Sequence, residues 1–544
     1  MGGFIFFTLI LVSCDGFLTP ISSQSNGLPS SETHSTTVGS SMPSLESNAT
    51  SIASSVPLTS EEVDQLFSLV EFNIDYVTED YALPQPETLQ SMLFWDSPNG
   101  VIEEGILRYT NPIKDTSIDL FATITFEGRS YQQAYEVIMK SQLQPPAVDK
   151  KAHLQLTLDN QASEADIAYE YTLNGTSTLL YDQHGTMQTS EITSPFTIRT
   201  RGHSTRFMPK RSYRLRFDKN TSLLGMKSAK NYILLANYID HSQVRNAVVH
   251  YMSRFYDSLY AIDYRFIDLS IGGAYLGNYL LTERVEFHPN RLDVDFIPDA
   301  PNFDSGSLVE LDYPGVEVSG EGTDGVDTFR VEGRPYAMKE PNLDTPGYQS
   351  NHFGYIRDYM QTVATRLRAR QSVDDLIDID NWVDYFLLQE ITKNVDVGWG
   401  SVYLVKQTGE PLRHLPLWDF DISMGLGNYF DSGPQGHWGW ADFNKNDFFT
   451  WMMQYPTIKS LFKTRLADFQ ARVLPEVIGY LETNASTFAQ LFVANQTLWP
   501  LNVCEGGFCP IVSELMNNTV YQDHLDFLTS FLTTRTTWMR QNIV

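Results

Sequence analysis

Apolar and polar positions alternate with period two along Ile118, Leu120, Ala122, Ile124 and Phe126, the spacing of a strand with one buried face. Shorter strand-like runs at 105–109 and 131–139 flank it, so residues 60–146 read as a small all-β sandwich. Pro145-Pro146 marks its end. From 150 onward, strands are predicted over 153–158, 167–172, 196–201, 211–217, 231–237, 264–271 and 274–284, with a helix over 242–256 between them. Beyond about 350 the period lengthens to that of a helix. Helices are predicted over 355–371 and 381–393, the latter with Val383, Phe386, Leu387 and Ile391 on one face. A helical tail follows over 446–493 and 519–541. A strand-rich first half and a helical second half predict a two-lobed α+β body over 150–544.

Before this body the pattern is different. Residues 1–19 open with an apolar run of about ten residues, too short to span a bilayer as a helix and suited to the core of an export signal. Leu11-Val12-Ser13-Cys14 resembles a bacterial lipobox, which implies a lipidated Cys14 and an exported protein held at the membrane or cell surface. No Lys or Arg precedes the apolar run, so plain secretion, and no export at all, stand beside lipidation as readings. Residues 20–59 are rich in Ser and Thr with few large apolar groups, the composition of a flexible tether. With Cys14 lipidated, Cys504 and Cys509 remain as an even pair that a disulfide can join in an oxidising compartment. Asn-x-Ser/Thr triplets occur at Asn48, Asn174, Asn220, Asn484, Asn495 and Asn517 and carry no argument in a bacterial chain.

The chain has 544 residues and a net charge of −28, which disfavours nucleic acid as a partner. Eight basic residues nevertheless lie between 199 and 219: Arg199, Arg201, Arg206, Lys210, Arg211, Arg214, Arg216 and Lys219, with Asp218 the lone acid. In the strand 211–217, Arg214 and Arg216 share one face and Tyr213, Leu215 and Phe217 the other. Such a row is either a charged outer face or an anion site, and its concentration in an acidic chain favours the anion site. The second signal is a pair of aspartates. Two apolar runs, 402–406 and 412–418, meet at Thr408-Gly409, so Asp396 and Asp419 fall at the open end of a predicted hairpin. Two carboxylates held there can share a divalent cation, or divide into a metal ligand and a base. Solvated loop acids are the plainer reading, and the flanking Trp399, Trp418, Phe420 and Ile422 argue against it. Gly320-Glu-Gly322-Thr-Asp-Gly325 matches a dinucleotide-binding pattern in form only, because its own acids repel phosphate. No G-x-S-x-G or H-E-x-x-H motif occurs, and His203 is as readily structural as anion-binding.

Several segments together resemble the CotH kinase family, spore-coat-type atypical protein kinases. They are Arg201-Gly-His-Ser-Thr, Lys210-Arg-Ser-Tyr-Arg-Leu-Arg-Phe, Leu234-Leu-Ala-Asn-Tyr-Ile-Asp240, Val244-Arg245-Asn246, Tyr275-Leu-Gly-Asn-Tyr-Leu-Leu-Thr-Glu283, Asn394-Val-Asp396 and Pro416-Leu-Trp418-Asp419-Phe-Asp421. The resemblance implies a protein-kinase-like fold, ATP, Mg²⁺ or Mn²⁺, and phosphorylation of protein Ser/Thr. It implies Asp396 as the catalytic aspartate and Asp419 as the metal-binding one, with Asp421 assisting. Ser401 stands where kinases place a second metal-binding Asn, which raises a catalytically weak or inactive surface adhesin as the alternative. Lys210 is the candidate phosphate-contacting lysine, with Arg214 and Arg216 nearby and Glu283, or else Glu310, as its partner carboxylate. Arg201 and Arg245 are expected in ion pairs, and Lys339 occupies a family position without an assigned role. Segment 60–146 resembles atrophied bacterial immunoglobulin-like domains, which are spacers or adhesive modules. Trp399, Trp418, Trp438 and Trp440 prompt a carbohydrate-binding reading, though core positions suit them better.

Overall fold

A computed structural model describes residues 57–543 except 111, 147, 149–151, 170, 184–185, 203–204, 314–327, 428–430, 441–444, 502 and 504–510. Cys14, most of the tether, His203, the Gly320–Gly325 segment, Cys504 and Cys509 therefore lie outside the described residues. The chain divides into two units, one ending at Asn111 and resuming over Asp115–Lys140, the other Pro112–Lys114 with Ser141–Val544.

In the first unit, α1 (Ser60–Ser68) precedes seven strands: β1 (Tyr76–Val77), β2 (Tyr81–Ala82), β3 (Leu93–Asp96), β4 (Ile102–Glu103), β5 (Ile106–Leu107), β6 (Thr116–Phe126) and β7 (Arg129–Met139). They form a four-stranded sheet in the order β1-β7-β6-β3 and a three-stranded sheet β2-β5-β4. The alternation of β6 buries Ile118, Leu120, Ala122 and Ile124 in one core with Phe67, Trp95 and Leu107. Thr59 and Glu62 exchange hydrogen bonds at the start of α1, satisfying amide groups the first turn leaves open.

The second unit begins with β8 (Ala152–Leu158), β9 (Leu173–Gln183), β10 (Thr186–Arg201), β11 (Ser212–Thr221), β12 (Ala229–Leu235), β13 (Tyr264–Ile271) and β14 (Ala274–Glu283). The strand-rich half predicted from alternation is a closed barrel, β10-β11-β12-β14-β13-β8-β9. Within the barrel, among the described residues, β8 and β13 alone pair in parallel. The 16-residue β10 shifts register between Ile192 and Phe196, the kind of irregularity that lets a long strand bend around a barrel. Leu154, Ile198, Leu215, Leu234, Leu269 and Leu281 fill the interior. Residues 167–172 are not the strand their apolar content predicts. Their carbonyls turn to other partners: Ile167 O accepts from the Arg211 guanidinium and Ala168 O from the Thr200 amide.

Between β12 and β13 lies α2 (Arg245–Ser253). Beyond the barrel come β15 (Ser307–Leu311), β16 (Thr328–Val331), β17 (Arg334–Glu340), α3 (Ser350–Ala369), α4 (Ile379–Thr392), β18 (Val402–Lys406), β19 (Arg413–His414), α5 (Asp447–Met452), α6 (Pro456–Asp468), α7 (Leu474–Leu491), α8 (Val493–Leu498) and α9 (Tyr521–Asn542). A second sheet runs β16-β17-β15-β18-β19, so strands continue into the half that reads as helical. Helix α4 is buried on all sides, as an apolar helix through a core must be; Phe386 stacks on Phe449 at 4.6 Å. It also holds the hairpin. Asn381 exchanges hydrogen bonds with the backbone of His414, and Trp382 Nε1 donates to Leu412 O at 2.8 Å.

Among the described residues, two of this unit's buried ion pairs are almost wholly without solvent. Arg245 meets Asp240 at 2.6 Å, with side chains 1% and 0% exposed. Arg535 of α9 meets Glu390 of α4 at 2.7 Å. Breaking a buried pair from one side strands the other charge, at a cost of about 3–5 kcal/mol. Arg245→Met should therefore lower the urea-unfolding free energy by that amount, and Asp240→Asn added to it should recover part of the loss. A loss below about 1 kcal/mol would mean that the pair is solvated.

Candidate active site

Helix α4 delivers the chain to Asp396, and the hairpin returns it to Asp419. Strands β18 and β19 pair antiparallel with Leu404 opposite His414, and Gly409, at φ 76°, makes the turn between them. Backbone bonds then stitch the two loops together: Met424 N donates to Thr392 O at 2.6 Å and Val395 N to Ile422 O at 3.3 Å. The Asp396 carbonyl accepts from the amides of Trp399 and Gly400, closing a tight turn. Ser401 and Asp419 both adopt left-handed backbone, at φ 56° and 67°, an unfavourable state for residues with a side chain. Ser401 Oγ donates to Asp419 Oδ2 at 3.2 Å.

The segment after Asp419 is held from the barrel side. Asn246, on the first turn of α2, accepts the Phe420 amide at 2.7 Å and donates to Asn237 Oδ1 at 3.1 Å. Arg245 donates to the carbonyls of Ser423 and Met424 while paired with Asp240. The sequence marks these two residues only as family positions and a possible ion pair; their work is to fix the Asp419 loop. On the other loop, Trp438 Nε1 donates to Asn394 O at 2.7 Å, and Glu390 accepts the amides of Trp438 and Gly439.

Crowding shapes the electrostatics. Burial first, then the charge of Asp419, pushes the Asp396 carboxyl up to about 8. Burial, with Asp419, Asp396 and Asp240 added, holds Asp421 well above the carboxylate range. Carboxylates in this state lack a counter-charge. Oxygen donors of this kind suit a hard divalent cation. Among the described residues no three His, Cys, Asp or Glu side chains are grouped as a complete metal cage. Mg²⁺ commonly takes one or two carboxylates and completes its shell with water and phosphate, so the donors present fit it.

Lys339, on β17, is a buried lysine set among carboxylates. Its ammonium contacts Glu310 at 2.8 Å and Asp312 at 3.2 Å. Burial alone would lower it, but Glu310 and then Asp312 more than offset that and hold it above the usual lysine range. Glu310 lies opposite Tyr403 of β18, and the charge of Arg201 reaches the Tyr403 hydroxyl. Arg201 in turn stacks over Trp418 at 5.3 Å, one residue before Asp419. A readable signal existed: Glu310 and Asp312, two apart in an apolar run, share one side of a strand.

Lys210 and Glu283 are corrections. The Lys210 ammonium is buried and bonded to Ala236 O, Asn278 O, Asn495 Oδ1 and Gln243 Oε1, more acceptors than its three protons can serve. It has none left for a phosphate. Glu283 pairs with Arg291 at 3.0 Å and accepts the Tyr260 hydroxyl at 2.6 Å, so it does not orient Lys210. Arg214 and Arg216 do point outward from β11, where Arg214 bonds Asn231. Arg201, expected in an ion pair, is found on an aromatic ring instead.

No curated protein matches the chain significantly. The sequence profile of the CotH kinase protein family matches residues 198–539. That span starts inside β10 and ends inside α9, taking in Arg201, the Arg245–Asn246 clamp, Lys339, Asp396, Asp419 and Asp421. With more than half of its length matched around this site, the chain belongs to the CotH kinase family.

Proposed function

We propose that the protein transfers the γ-phosphoryl group of ATP to a Ser or Thr hydroxyl of a protein, with Mg²⁺ or Mn²⁺. The observation that supports this is the juxtaposition of Asp396 and Asp419 at the hairpin mouth. Asp396 orients the acceptor hydroxyl and takes its proton as the oxygen–phosphorus bond forms and the bond to the β-phosphate oxygen breaks. Asp419, with Asp421 beside it and Ser401 bonded to it, is the side that would hold the cation. A bound cation would supply charge neutralisation at the phosphates and return Asp396 to the ionised form a base needs. Lys339, kept charged by Glu310 and Asp312, takes the phosphate-contacting role that Lys210 cannot, and Arg201 stands next to Asp419 on Trp418. Export through the N-terminal apolar run, lipidation at Cys14 and a Cys504–Cys509 disulfide are part of the proposal and rest on sequence alone.

Full-length protein with labelled ATP and Mg²⁺ or Mn²⁺ should incorporate label into itself or an added protein. Asp396→Asn should lower turnover by about 10²–10⁴-fold, and Lys339→Met should raise the KM for ATP. Absence of label with either metal, together with no stabilisation by nucleotide, would replace catalysis with an adhesive binding role.

A second test uses the charge crowding. Asp396 ionises at about 8 when folded, against about 4 in an unfolded chain. Between those values the folded state binds more protons than the unfolded one, so metal-free stability falls as pH rises through the window. Added Mg²⁺ should then raise the melting temperature more at pH 8 than at pH 5. Asp419→Asn should flatten the pH slope and remove the Mg²⁺ response; a response retained in that variant would place the cation elsewhere.

A further inference from the structure

The outer face of the barrel carries charge that the transfer site does not use. The β10–β11 register sets Arg199 directly opposite Arg214, a like-charge cross-strand pair that opposes sheet formation. Arg216 lies two residues along the same face of β11 and is exposed. Arg284 follows directly on β14. After burial, Arg284 and then Arg199 push the Arg214 guanidinium down to about 9, with Glu286 in opposition and Arg216 adding to the shift. Arg214's own hydrogen bonds go to a neutral group, Asn231 Oδ1, at 3.0 and 3.3 Å.

The nearby acids do not balance this. Glu286 is engaged by Arg284 at 3.0 Å and by the Asn231 amide at 2.6 Å. Glu340 accepts the Phe287 amide at 3.1 Å, and burial pushes it up to about 7. Four guanidinium groups thus face Glu286 and Glu340, with Asp218 two residues beyond Arg216 on the same side of β11. Among the described residues none of Arg199, Arg214 and Arg216 has a carboxylate within ion-pair distance. The face also has an aromatic border: Arg199 and Arg206 both lie over Tyr169, at 5.5 and 4.2 Å, and Phe207 beside them is 61% exposed. The chain's net charge of −28 does not cancel the patch locally, because salt screens charges beyond about 8 Å.

Position gives the patch a use. Arg199 and Arg201 share one face of β10, about 7 Å apart along the strand, and Arg201 rests on Trp418 next to Asp419. A row of rigid guanidinium forks, suited to phosphate oxygens, therefore leads up to the candidate active site. We propose that the Arg199, Arg214, Arg216 and Arg284 face binds a phosphoserine-bearing segment of the acceptor protein, holding it while a neighbouring hydroxyl reaches Asp396. Its role in substrate choice rests on the phosphotransfer reading; the binding itself does not. The product of one transfer then becomes the ligand that positions the next.

ATP offers the same phosphate chemistry, so the test must separate the two sources. A fluorescein-labelled peptide with several phosphoserines, and its unphosphorylated twin, would be titrated with the full chain and followed by anisotropy, with and without saturating Mg²⁺-ATP. The phosphopeptide should bind at least about tenfold more tightly than its twin, and Arg199→Gln with Arg214→Gln should weaken it about tenfold, the weight of one charge-assisted hydrogen bond. Both results should survive Mg²⁺-ATP and Asp419→Ala. The Gln variants should melt no lower than wild type, since they relieve a repulsive pair; lost affinity with an unchanged melt is then a loss of the site. Equal binding of the twin peptides, or displacement of the phosphopeptide by Mg²⁺-ATP, would overturn the proposal, the latter by making the face a nucleotide subsite. Phosphopeptide binding without any label transfer would keep the site and remove the phosphotransfer reading.

Discussion

Like charges repel, and the mouth of the β18–β19 hairpin sets Asp419 where its charge bears on both Asp396 and Asp421. Asp396 and Asp421 both hold protons more tightly than a free carboxylate would, so the arrangement works against the folded state. The surroundings are built to impose it. Asn246 and Arg245 fix one loop by its backbone, Trp438 and the amides of Trp399 and Gly400 fix the other, and Asp419 is held in a left-handed turn. Strain and repulsion concentrated at one point, with a rigid frame around it, are the mark of a site kept for chemistry at the expense of stability.

Lysine chemistry divides along the same physical line. Lys339 and Lys210 are both withdrawn from water, yet their environments are opposite. Lys339 faces two carboxylates and stays charged. Lys210 faces carbonyl and amide oxygens over the Tyr279 ring, where burial drives its pKa well below the ordinary value. Only the first keeps a charged ammonium among carboxylates, the state that a phosphate contact requires.

The hairpin and its aspartates were legible because they depend on local signals: two apolar runs, one turn glycine and the count of residues between. The outward face of β11 was legible for the same reason, since period two fixes which side chains share a surface. Lys210 misled because its partners come from far along the chain, Asn278 and Asn495 among them, and no local pattern reports that. Closure of the barrel depends on the parallel β8–β13 pairing and on β9, whose Leu173–Gln183 run is too polar to stand out. The clamp by Arg245 and Asn246 was visible only as a family resemblance, because its targets are backbone atoms, which have no residue code.

Arg535 of α9 reaches into the core around α4, bonded to both the Glu390 carboxylate and the Glu390 carbonyl. That carboxylate in turn holds the loop carrying Trp438, whose indole supports Asn394. A residue 145 positions further along the chain therefore completes the support behind the segment that leads to Asp396. Loss of α9 would leave Glu390 buried without its counter-charge and loosen the loop it holds behind Asp396.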